Sequence, residues 1–160
     1  MVASTEISAL RQTLVAEVEA VGQFIALLKL EQASLSSGNT DELPAYAEEK
    51  LQLASRLNAL ATQRNGTLAR HGFGADRAGV EAWCAEHPAD ETAAKAWSTI
   101  LSQAREAREL NTMNGELIHI RMQYNAKALE ALQGGNNSLD LYGPDGQSKV
   151  AGPRRINHSV

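Results

Sequence analysis

The chain has 160 residues, 43% of them apolar and only 4% aromatic, and its 15 Lys and Arg against 19 Asp and Glu leave a net charge of −4. A chain of this length can bury one sizeable core, and the apolar fraction excludes wholesale disorder. The acidic balance argues against a general nucleic-acid binder, whose affinity rests on neutralising phosphates. The scarcity of aromatics argues against a sandwich or barrel.

Cys84 is the single cysteine, so neither an internal disulfide nor a cysteine zinc site can form. Met1-Val2-Ala3-Ser4-Thr5-Glu6 lacks the basic start and apolar run of a secretory signal. The apolar cluster Phe24-Ile25-Ala26-Leu27-Leu28 is closed by Lys29, far short of the ~18 residues a membrane span needs. The expectation is a soluble cytoplasmic protein with no membrane insertion.

The first element runs from about Ser4 to Ser37. Ile7, Leu10, Leu14, Val18, Val21, Ile25, Leu28, Gln32 and Leu35 recur at alternating three- and four-residue steps, which places them on one face of a long helix. Val15, Phe24, Leu27 and Leu30 widen that stripe toward a bundle. Gly22 is a weak point, costing ~1 kcal/mol against Ala in a helix interior. Ser36-Ser37-Gly38-Asn39 is the stop.

A second helix should begin near Thr40 or Asp41, with Thr40 as the cap and Pro44 tolerated in the first turn. Leu43, Tyr46, Leu53, Leu57, Leu60 and Leu68 form its buried face, and Lys50 and Arg64 fall in the same series, so they must snorkel or pair. His71-Gly72-Phe73-Gly74 ends it. A short helix follows from Asp76 to Glu86, presenting Val80 and Trp83, and Pro88 stops it. Asp90 then caps the longest run, Glu91 to Leu132, with the stripe Trp97, Leu101, Ala104, Arg108, Asn111, Gly115, Ile118, Met122, Asn125, Leu129 and Leu132. Gly134-Gly135-Asn136-Asn137 closes it. The predicted fold is all-α: a long up-down antiparallel helical bundle over residues 1–133 with a short extra helix, then a flexible C-terminal tail over 134–160.

Catalytic constellations are weak. Glu116 and His119 match the Glu-x-x-His spacing of carboxylate-bridged di-metal bundles, but that chemistry needs a second such pair and two more glutamates. His119 is followed by Ile120-Arg121-Met122-Gln123, which departs from the His-x-x-Lys-Gly of phosphotransfer bundles. Cys84 lies three residues before His87 with no orienting third group, and a small buried thiol beside Trp83 is the simpler reading. The expectation is no enzyme, no cofactor and no metal.

Two features resist a purely structural account. Arg108, Asn111, Asn114, Gly115 and Asn125 interrupt the face of the last helix. Buried asparagines could fix helix register, or the cluster could form a groove that another helix approaches closely. The second feature is Leu139-Asp140-Leu141-Tyr142-Gly143-Pro144-Asp145-Gly146-Gln147, an apolar island in a polar tail. Tyrosine suits a docking hot spot, and the Gly-Pro-Asp-Gly turn would present it; folding back onto the bundle is the alternative.

Together these pieces resemble the FlgN family of flagellar export chaperones. Glu48-Glu49-Lys50-Leu51 with Leu57 resembles the family's second helix. Trp97 followed by Asn111-Thr112-Met113-Asn114-Gly115 resembles its Trp and Asn-x-x-Asn-Gly. Leu141-Tyr142-Gly143-Pro144-Asp145-Gly146-Gln147 resembles its Leu-Tyr-Gly-x-x-Gly-Gln. Gly72 to Asp90 lies outside that pattern. The resemblance implies a cytoplasmic chaperone for type III flagellar export. Its partners would be the C-terminal helical segments of hook–filament junction proteins and the cytoplasmic domain of the export gate. Asn111, Asn114, Gly115, Ile118, Met122, Asn125 and Leu129 are then the candidate client-binding residues, and Leu141, Tyr142 and Gly143 the candidate gate-docking residues. The competing expectation is a structural or signalling bundle that oligomerises through its long seams.

Overall fold

The computed structural model describes residues 2–139, with side-chain surroundings for residues 4, 5, 7 and 9–134. The described residues form four helices and no strand: α1 Val2–Ser37, α2 Leu43–Arg70, α3 Asp76–Glu86 and α4 Glu91–Leu139. The fold is all-α, as the hydrophobic periods require. The helical contacts divide the chain into two units, one ending at Ile118 and the other beginning at His119.

In the first unit, α1 is the central element. The ion pairs Glu17–Arg64 and Glu31–Lys50 show that α2 runs antiparallel to it. Contacts to α4 advance in the same sense along both helices. Gln103 Nε2 donates to the Val18 carbonyl at 3.2 Å, and Asn114 Nδ2 donates to the Leu28 carbonyl at 2.9 Å. The chain thus goes up, down and up, with α3 placed between the last two strokes.

The core collects Leu10 and Leu14 of α1, Leu68 of α2, Val80 and Trp83 of α3, and Ala93, Ala96, Trp97 and Ile100 of α4. The segment Gly72 to Asp90, outside the recognised sequence pattern, therefore has a structural role. It delivers Trp83, only 2% exposed, and Val80 to the place where the three long helices meet. Cys84 packs against the same cluster. Burial pushes its thiol pKa up, with the Asp90 and Glu81 charges acting in the same direction. A thiol so placed is a poor nucleophile.

Helix boundaries follow local chemistry. Asp90 caps α4 by accepting the Ala93 N–H at 3.1 Å, and it also takes Arg11 Nε at 3.0 Å. Burial alone would raise the Asp90 pKa, but hydrogen bonds from Arg11 and the Ala93 amide, with the Arg11 and His87 charges, hold it below the ordinary aspartate value. The predicted Thr40 cap is not formed. α2 starts at Leu43, whose N–H goes to the Thr40 carbonyl, and Glu42 precedes it without a side-chain cap. Pro44 in the first turn removes one of the amides that a cap would serve. At the far end, α4 runs through the predicted Gly134–Asn137 stop to Leu139.

Two expectations about the stripes are corrected. Val15 and Leu30 do not widen the buried face of α1, being 47% and 53% exposed. In α4 the predicted stripe is displaced by one residue. The positions turned inward are Ala96, Ile100, Gln103, Ala107, Leu110 and Asn114, each one before Trp97, Leu101, Ala104, Arg108, Asn111 and Gly115. Trp97 is itself buried, so counting from it starts on the edge of the seam. Arg108, Asn111 and Gly115 interrupt nothing, because they lie on the exposed side.

Gly22 is accommodated rather than required. A methyl there would meet Gln103 Nε2 at 3.6 Å, an ordinary contact. Gly22→Ala is expected to stabilise the protein by about 1 kcal/mol through helix propensity, read as a higher urea midpoint with unchanged slope.

Candidate functional site

Polar groups inside the first unit are organised as two clamps. Arg64 Nη1 donates to Glu17 Oε1 at 2.6 Å, its Nη2 reaches Asp76 Oδ1 at 3.3 Å, and its guanidinium carbon lies 5.4 Å from the centre of a Trp97 ring. Burial pushes the Glu17 pKa up, against the hydrogen bond and charge of Arg64. The second clamp joins three helices. Glu31 of α1 accepts Lys50 Nζ of α2 at 3.1 Å and Asn114 Nδ2 of α4 at 2.9 Å. Sequence spacing anticipated that Lys50 and Arg64 must snorkel or pair, and both pair. The spacing does not reveal their partners, Glu17 and Glu31, because neither glutamate falls on the apolar stripe of α1.

These clamps sort the candidate client-binding residues. Asn114 is 1% exposed and its amide is engaged by α1. It fixes register, as a polar seam residue does in a coiled coil. Asn111 and Gly115 are exposed, and a Cβ on Gly115 would meet nothing within 4 Å. Ile118, the last residue of the first unit, is 40% exposed.

The second unit keeps an unusual surface. Met122, Asn125, Leu129 and Leu132 are all exposed, and with Ile118 they recur at four- and three-residue steps on one helical face. Ile120 and Tyr124, at 59% and 74% exposure, belong to a neighbouring face with Met113 and Leu117. Sequence reading overlooked this second stripe, although Met113, Leu117, Ile120 and Tyr124 also step by four, three and four. The polar positions Glu116, His119, Gln123, Lys127 and Glu130 occupy the opposite side, and half-buried Arg121 lies between the two apolar stripes. The apolar surface is thus a broad arc, unlike the scattered single exposures of ordinary surfaces.

Among the described residues no group of three or more His, Cys, Asp or Glu could hold a metal ion. His119 Nε2 lies 3.2 Å from Gln123 Nε2 on the surface. No described helix is long and apolar enough to cross a membrane. The candidate docking residues Leu141, Tyr142 and Gly143 lie outside the described residues.

The family model described as "FlgN protein" matches residues 1–149. The chain belongs to the FlgN family. Two relatives, each a flagella synthesis protein FlgN, come from Salmonella typhimurium strain LT2 and Salmonella typhi. Each is 31% identical over 127 residues, covering 78% of this chain and 79% of the relative. No solved structure matches the chain. The FlgN match takes in Gly72 to Asp90, the segment that the sequence motifs alone left unassigned.

Proposed function

We propose that this FlgN-family protein is a cytoplasmic export chaperone. It holds the C-terminal helical segments of hook–filament junction proteins on α4 and delivers them to the flagellar type III export gate. The carrying observation is the arc of large apolar side chains from Ile118 to Leu132, each 40% or more exposed. Amphipathic client segments would otherwise self-associate, and an apolar helical face can cover them by helix-to-helix recognition. Ile118, Met122, Asn125 and Leu129 form the contact face, Asn111 and Gly115 extend it, and Asn114 anchors the helix that bears it. Binding, not catalysis, is the activity, and it requires no cofactor. Leu141, Tyr142 and Gly143 dock to the cytoplasmic domain of the gate.

The test uses the full chain with a purified junction protein. Ile118→Asp, Met122→Asp and Leu129→Asp together should weaken client binding at least tenfold in titration calorimetry, with helicity by circular dichroism preserved because all three are exposed. Tyr142→Ala should leave client binding intact and abolish pull-down of the gate's cytoplasmic domain. Unchanged client binding in the triple variant would assign the arc elsewhere. Sedimentation tests the competing oligomerisation reading, since a chaperone becomes a defined heterocomplex when client is added.

A further inference from the structure

A cleft of about 450 Å³ lies in the first unit, lined by residues other than those of the exposed arc. Phe24 of α1, Leu57 of α2 and Ile100 of α4 give it apolar walls, while Ala54, Asn58 and Ala61 keep the α2 side low. Ala54 and Ala61 are seven residues apart, two helical turns or about 10 Å. Small residues at that spacing let another helix approach closely while its large side chains fill the space beyond.

Glu17 lines the same cleft. Its side chain is 5% exposed, Oε1 is held by Arg64, and Oε2 has no hydrogen-bond partner. A buried carboxylate oxygen without a donor is costly, and native structures rarely leave one so. Arg64 cannot supply a second donor to it without loss, because its remaining nitrogens face Asn65 and Asp76. Two carboxylates share this one guanidinium, so the local charge is negative. The missing group is therefore a cationic N–H donor, and the shape asks for apolar side chains within two turns of it.

We propose that the α1–α2 cleft is a second docking site. It receives an amphipathic helix of the exported client that places two apolar side chains between Phe24 and Leu57 and a Lys or Arg on Glu17 Oε2. This rests on the chaperone reading for the source of the helix; the cleft and its unpaired oxygen stand without it.

Two substitutions in the full chain test the proposal against a purified junction protein. Asn58→Trp fills the cleft from an exposed position and should weaken client binding at least tenfold with the thermal midpoint unchanged or raised. Glu17→Gln keeps an oxygen for Arg64 but turns the unpaired acceptor into a donor. It should weaken binding at least fivefold, and that loss should vanish when the client's Lys or Arg at the contact is replaced by Met. Photo-crosslinkers at Asn58 and at Met122 separate the two sites. Crosslinks from both positions, with the losses above, support the proposal. A crosslink at Met122 alone, with Asn58→Trp binding within twofold of the parent, overturns the cleft and leaves the α4 reading standing. A crosslink at Asn58 alone supports the cleft and removes the α4 arc. No crosslink from either, with unaltered affinity in both variants, overturns both.

Discussion

Replacing Arg64 by Leu should destabilise the protein by about 3–5 kcal/mol, because it strands a buried carboxylate rather than merely removing an attraction. Glu17 sits 3% exposed in the middle of α1, and Arg64 is the cation that neutralises it. The same substitution removes the cation beside the Trp97 ring and the contact to Asp76. Replacing both Glu17 and Arg64 by Leu should recover most of that loss, since an apolar pair carries no desolvation penalty. Urea unfolding of the four proteins in the cycle measures the coupling. A double variant whose loss equals the sum of the two single losses would mean that the pair contributes only packing.

Gly79→Ala is the second large effect. A Cβ at Gly79 would fall 1.8 Å from the Gly74 carbonyl oxygen and 2.5 Å from its carbon. Both are backbone atoms, so no rotamer change relieves the overlap. The approach arises because Asp76 adopts φ of +58°, turning the Phe73–Ala75 segment back over the first turn of α3. Asn65 holds that turn by accepting the Asp76 N–H at 2.9 Å and donating to Asp76 Oδ1 at 3.1 Å. Adding the methyl must lift the turn or shift α3, which carries Trp83 and Val80 in the core. A cost of at least about 3 kcal/mol follows, at the upper end for overpacking. It should be read as a lower thermal midpoint together with faster hydrogen exchange along α3. Unchanged exchange there would show that the turn yields without moving the helix.

Much of this architecture was written in hydrophobic spacing. The stripe Leu10, Leu14, Ile25, Leu28 and Leu35 is buried as its period requires. The limits Asp76–Glu86 for α3 and the Asp90 cap for α4 follow from Pro88 and from the preference of aspartate for caps. What spacing could not supply was phase. Trp97 is wide enough to reach the core from the flank of α4, so a stripe counted from it ran one position off the seam. The seam itself is hidden by small and polar residues, Ala96, Gln103, Ala107 and Asn114, which carry little hydrophobic signal. The Glu17 and Glu31 clamps were illegible for a similar reason, since a glutamate reveals its burial only when its partner helix is placed. At the exposed arc the one-residue offset mattered less. Ile118, Met122 and Leu129 are exposed on one face, while Ile120 and Tyr124 follow a second stripe that a single-face count does not contain.

The paired anchors on α1 and α4 also act as a length gauge. Val18 engages Gln103 and Leu28 engages Asn114, so ten residues on one rod are matched by eleven on the other. Deleting one residue between Gln103 and Asn114 would swing the asparagine about 100° around its axis and off the carbonyl it holds. Insertions or deletions in this stretch therefore keep both anchors only in two-turn increments of about seven residues, with compensating changes in both rods.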